Sequence, residues 1–136
     1  MQVRISVLAD YASVSEGHKL NILGIFRQII ALSEPVVCPQ IKVVAQFEFN
    51  SSETGSRTLK IVLVDADGRE IFMVSGQIQV PHSSDGKPTL LNQILNLNNI
   101  VLPKFGQYEF RILLDDITQC TIPLDVVRAQ LTPETR

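Results

Sequence analysis

Apolar and polar residues alternate with period two along most of this chain. Val3, Ile5 and Val7 fall on one side of an N-terminal stretch whose other side is Gln2, Arg4 and Ser6. Ile41, Val43, Ala45, Phe47 and Phe49 alternate with Lys42, Gln46 and Glu48, and Tyr108, Phe110, Ile112 and Leu114 repeat the pattern. Successive side chains of a strand point to opposite faces, so each stretch predicts a half-buried β-strand. Turn-forming clusters separate the stretches: Ser15 to Lys19, Asn50 to Ser56, Asp65-Ala66-Asp67-Gly68, Pro81 to Pro88, and Asp115-Asp116. The Asp65 to Gly68 cluster predicts a tight hairpin between Thr58–Asp65 and Arg69–Val80. Leu20–Leu32 and Leu90–Leu102 read as long extended segments, and Cys120, Ile122, Leu124 and Val126 close the series. No window sustains a helical period. The nearest is Leu90-Leu91 with Ile94-Leu95, flanked by asparagines, which are poor helix formers. About eight strands at intervals of roughly 10–15 residues predict an all-β fold. The expected form is an antiparallel β-sandwich, immunoglobulin-like or a C2-like Greek key. One domain, residues 1–128, is expected, with residues 129–136 as a frayed tail.

Three places depart from simple alternation, and each carries an expectation. Gly24 shares a face with Leu20, Ile22 and Phe26, where a side chain belongs. A strand glycine there predicts a close neighbour, with the ring of Phe47 or Phe110 expected over it. Leu95 and Leu97 have odd numbers, whereas Ile100 and Leu102 have even ones. One extra residue at Asn98-Asn99, a β-bulge, would restore a single apolar face. Leu20–Leu32 is apolar on both faces, with Leu23, Ile25 and Ile29 opposite Leu20, Ile22, Phe26, Ile30 and Leu32. A covering loop, a kink that rotates the strand, or an interface would each account for it. Leu23, Ile25 and Ile29 are the interface candidates, toward a second copy or a protein partner.

Composition narrows the function classes. The 136 residues are 45% apolar and 19% charged, which is globular rather than disordered. The net charge is −2, and the basic residues are scattered, with no tryptophan to stack bases. No nucleic-acid partner is expected from such a surface. The N-terminal apolar run is broken by Arg4 and Ser6 and ended by Asp10, so it does not read as a signal peptide. No apolar run is long enough to span a membrane, and a cytoplasmic location is expected. Cys38 and Cys120 then read as small hydrophobes rather than a disulfide or a catalytic thiol.

The strongest motif is Leu102-Pro103-Lys104-Phe105-Gly106-Gln107-Tyr108-Glu109-Phe110. Proline and Gly106 shape a turn, and Tyr108 enters the strand where its hydroxyl can cap the corner. Together with Leu8-Ala9-Asp10-Tyr11-Ala12, Gly17 to Phe26, Leu95-Asn96-Leu97-Asn98-Asn99 and Asp115, this stretch resembles a family of small uncharacterised bacterial proteins, a domain of unknown function. The resemblance spans roughly residues 3 to 127. It implies a β-sandwich and no particular activity. The chain departs from the family's pattern at Asn99, where glycine is expected; asparagine tolerates positive φ next best.

No phosphate-binding glycine loop and no GxSxG nucleophile turn occurs. Asp65 and Asp67 lack the further oxygen ligands and closing glutamate of a calcium loop, so they read as a turn. If successive strands alternate direction, one end of the sandwich gathers the loops carrying Asp10, His18, His82, Asp85, Asp115 and Asp116. These six are candidate ligands for a divalent metal, against the plainer reading of a solvated rim. No catalytic residue and no cofactor is implied. The reading that fits best is a non-catalytic binding module, most simply for protein. The alternatives are a metal-dependent or ligand-binding site in those loops, which could be enzymatic, and a structural subunit of a larger assembly. Gly24, Asn99, Gly106 and Tyr108 are expected to have structural roles.

Overall fold

The structure is a computed structural model and describes residues 1–130. Among these residues the strands are β1 (Gln2–Ser15), β2 (Lys19–Phe26), β3 (Gln28–Ala31), β4 (Val36–Phe49), β5 (Gly55–Asp65), β6 (Glu70–Val80), β7 (Thr89–Leu102), β8 (Gly106–Leu114) and β9 (Ile117–Arg128). They form a four-stranded sheet, β2-β1-β4-β7, and a five-stranded sheet, β3-β9-β8-β5-β6. The inner faces meet in one core. Phe47, Phe49, Phe110, Leu63, Ile112 and Leu124 are each fully buried there. These are the positions that the period-two pattern places on a common side, and burying each side chain is worth roughly 1.5–3 kcal/mol.

The fold is a β-sandwich, and its second sheet follows the immunoglobulin-like plan. The chain begins in one sheet, crosses to the other, and there runs parallel to the last strand. That parallel pair, β3 with β9, is the exception to the expected all-antiparallel pairing. It arises because Leu20–Leu32 is two strands rather than one. Phe26 ends β2 in the first sheet, and Ile29 packs on the core from the second. Between them the Arg27 carbonyl accepts the Asp125 N–H at 2.8 Å, which docks the crossing chain onto β9. The apolar parity thus changes at the crossing, and the kink explains Ile29. Beyond β9, Ala129 still donates to the Ala31 carbonyl at 2.8 Å; residues 131–136 of the expected tail lie outside the described residues.

The expected bulge at Asn98-Asn99 is absent. The β4–β7 register runs without a shift from Val36↔Leu102 to Phe49↔Thr89. Leu97, Ile100 and Leu102 are nevertheless all buried in the core. The reason lies in the partner strand. On β4 the buried residues switch from Val36 and Cys38 to Ile41 and Val43, so β4 inverts at the same level. Pro39 faces Asn99 in register, no bridge forms at that pair, and Asn99 takes φ 55°. Proline has no N–H to give the ladder, and asparagine tolerates the left-handed region. Both strands therefore turn their faces over together, and no extra residue is needed.

Candidate functional site

The surface that stands out is the hairpin of β1 and β2. Beyond Ala9, β1 leaves β4 and pairs only with β2. The turn at residues 16–18 reaches over the outer face of the sheet, where Asn92 on β7 donates to the His18 carbonyl at 3.2 Å. Val44, whose parity on β4 points outward, is fully buried, as is Ala9. The folded-over hairpin accounts for this burial. Its outer side carries Tyr11 opposite Leu23, with Ile25 one position pair further on. Tyr11 is 51% exposed, Leu23 66% and Ile25 63%; Ile30 on β3, at 63%, and Leu32 just past it, at 66%, are exposed as well. Tyr11, Leu23 and Ile25 alone present on the order of 300 Å² of apolar surface, a size that on a monomer is often functional. Beside Ile25, a cleft of about 300 Å³ opens between Val7, Leu8, Phe26, Ile122 and Pro123. Ile29, the third interface candidate, belongs to the core instead.

Gly24 sits within β2 at φ 72°, and its neighbour is not an aromatic ring. A Cβ built on it would meet Asp10 Oδ2 at 2.5 Å and Asp10 Cβ at 3.0 Å. Asp10 and Gly24 face each other where the ladder skips a bridge between Ala9↔Ile25 and Tyr11↔Leu23. Glycine is required twice over there, by the left-handed backbone and by the approach of Asp10.

The loop-end constellation does not form. Asp10 lies within β1, not in a loop, and His18 sits in the hairpin turn at φ 61°. Met1 pairs with Glu53, so β1 starts at the end that holds the β4–β5 loop and heads away from it. The sheet crossing at Arg27 adds a strand, so Asp10 and His18 part from the other expected loops, whereas the β4–β5, β6–β7 and β8–β9 connections still share one end. His82 and Asp85 lie in the β6–β7 loop, and Asp115 and Asp116 form the β8–β9 turn. Each of those carboxylates has structural work. Asp115 accepts from the Thr58 N–H at 3.0 Å and from Arg57 at 3.2 Å, which hold its carboxyl below the usual carboxylate range. Asp116 pairs with Lys60 at 2.6 Å. Asp85 accepts from the Ser83 hydroxyl at 2.7 Å and the Lys87 N–H at 3.0 Å, again lowering its pKa. Among the described residues, no three His, Cys, Asp or Glu side chains come together as a metal set.

Other singled-out residues have local roles. The Tyr108 hydroxyl donates to the Lys104 carbonyl at 2.7 Å and accepts from the Lys104 N–H at 3.1 Å. This ties the turn before β8 to the strand, with Gly106 at φ 140° inside it. Cys38 and Cys120 are free thiols. Burial pushes both above the ordinary thiol value, which disfavours the thiolate a nucleophile needs.

The fold and this surface define a β-sandwich domain with one exposed apolar arm. The chain belongs to a family of unknown function, DUF6941, which it matches over residues 4–127. No curated protein matches the sequence. Among solved structures, a glycosyl hydrolase family 2 member from Bacteroides cellulosilyticus DSM 14838 is similar at 17% identity and a TM-score of 0.38, over 66% of this chain and 13% of that one. A beta-glucuronidase from glycoside hydrolase family 2 is similar at 16% identity and a TM-score of 0.36, over 68% of this chain and 10% of that one. The chain thus spans about a tenth of those enzymes. A likeness this low carries no argument about activity, and the fold rests on the strand topology itself. No helix among the described residues is long and apolar enough to cross a membrane.

Proposed function

We propose that the domain is a non-catalytic, protein-binding module that docks its partner on the outer side of the β1–β2 hairpin. The observation that carries this reading is the exposure of Tyr11, Leu23 and Ile25 together on a strand pair that is otherwise ordered and paired. Large apolar side chains kept in water on a rigid strand serve association better than stability. Aromatic and aliphatic anchors beside a cleft are what a hot spot needs. Asp85, Asp115 and Asp116 are engaged in turns and surface pairs, and burial disfavours the thiolate of both cysteines, which supports binding over catalysis. The free thiols, buried at Cys38 and half-buried at Cys120, fit a reducing compartment, so the cytoplasm is the proposed location. A photo-crosslinking amino acid at Leu23 tests the docking site in the native cell. It should yield a discrete adduct with another protein that the same probe at Ala66, in the β5–β6 turn, does not give. Identical adduct patterns from both positions would remove the proposal.

A further inference from the structure

The two long edges of the sandwich are not closed alike. On one side the chain crosses from β2 to β3 and bridges the sheets. On the other side, β6 and β7 are the outer strands of their sheets and are joined by the loop of residues 81–88. An apolar slot of about 170 Å³ opens between them, lined by Phe47, Leu59, Ile61, Val74, Ile78 and Leu95. Gly76 stands at its mouth, and a Cβ there would meet nothing within 4 Å.

The β7 edge lacks the devices that keep edges apart. Exposed edges are normally guarded by charge, proline or shortness. The half of β9 that β3 leaves uncovered carries Pro123, β2 starts at Lys19, and β3 is only 4 residues long. β7 runs 14 residues with no charged residue and no proline. At the chain-wide charged fraction of 19%, a strand of that length would carry about three charges.

We propose that β7 pairs with β7 of a second copy, antiparallel about a two-fold axis at Gln93, joining the two four-stranded sheets into one. The occupant follows from side-chain parity and charge. Leu91 and Leu95 pack toward the core, and Leu97 is part of it. A two-fold axis at Gln93 sets Leu91 of one copy opposite Leu95 of the other, so inward faces match over residues 89–97. No like charges meet across the seam, because β7 has none. The added strand lies above β6, and its inward leucines fill the slot at Gly76. Register beyond residue 97 fails, because the face inversion at Asn99 is not mirrored, and this fixes the seam at its N-terminal half. Nine paired residues with the filled slot bury on the order of 1,000 Å² in total, the lower bound of a specific interface.

Sedimentation equilibrium of the full chain at micromolar concentrations tests this. The wild type should be a dimer, and Gln93→Lys should weaken it by about tenfold or more, since it sets two ammonium groups face to face. The monomer should still melt in one cooperative transition, because Gln93 lines only the open slot and a lysine there can reach solvent. Gln93→Cys should form a covalent dimer under mild oxidation, and Leu23→Cys should not; this arm stands even if the lysine variant fails to fold. A monomeric wild type, a dimer indifferent to Gln93→Lys, or a covalent dimer through Leu23→Cys alone would each overturn the proposal.

Discussion

Replacing Gly24 with alanine tests the geometry of the exposed arm. The backbone there has φ 72°, where an L-residue with a Cβ is disfavoured by about 1–2 kcal/mol. The new methyl would also stand 3.0 Å from Asp10 Cβ and 2.5 Å from Asp10 Oδ2. The oxygen is the tip of a short side chain and can swing aside, but the Cβ is fixed to the backbone of β1. That part of the strain adds about 1 kcal/mol, for a total of roughly 2–3 kcal/mol. A second variant separates the two causes. In an Asp10→Gly background the steric part vanishes and the φ part remains, so Gly24→Ala should cost only about 1–2 kcal/mol there. Urea denaturation of the four proteins of this cycle, at equal slopes, measures both costs. A Gly24→Ala protein within about 0.5 kcal/mol of wild type would refute the left-handed assignment, because ordinary surface substitutions fall in that range. Equal costs in the two backgrounds would refute the contact with Asp10.

Tyr108→Phe removes the hydroxyl that makes both hydrogen bonds to the Lys104 backbone, and should cost about 1–3 kcal/mol in urea melts. Asn92→Ala removes the side chain that holds the His18 carbonyl, so amide exchange should quicken in residues 16–19 and stay slow in β4, which hydrogen–deuterium exchange can resolve. Glu53 and Asp115 both have lowered pKa values in the folded protein. A depressed carboxyl contributes stability that is complete above its unfolded value and lost as pH falls through the folded one. Thermal stability should therefore hold from neutral pH down to about 5 and then decline in acid, and an Asp115→Asn variant should show a shallower decline. A wild-type melting temperature unchanged down to pH 3 would contradict those carboxylate contacts.

Much of the architecture is legible in local chemistry. The alternation of β4 and β8, the Asp65–Gly68 turn and the corner at Tyr108 all follow from residues close in sequence. What escapes is set by pairs far apart. One residue, Arg27, separates two strands that enter different sheets; Arg27-Gln28 interrupts the apolar run there, but two polar residues do not by themselves distinguish a sheet crossing from a kink. The inversion at Asn99 needs Pro39 opposite, so β7 alone suggests a bulge while the β4–β7 pair requires none. Gly24 announces a close neighbour but not which one, because Asp10 reaches it only through the hairpin register. Asp10 and His18 fall beside the other acidic and histidine loops only if the crossing strand goes uncounted; the loops of His82, Asp85, Asp115 and Asp116 do share an end, yet no three such side chains come together among the described residues. At the apolar arm, Leu23 and Ile25 could be read from an excess of hydrophobic positions, whereas Ile29 needed the crossing to place it in the core.

The most direct test of the binding account is a comparison of wild type with Leu23→Asp and Ile25→Asp, each used as affinity bait in its own cells. Both residues are exposed, so the two variants should keep the wild-type melting temperature. The account predicts that wild type retains a specific protein partner in stoichiometric amount, and that each aspartate lowers the retained amount by about tenfold or more. Partner retention unchanged by both folded variants would contradict it.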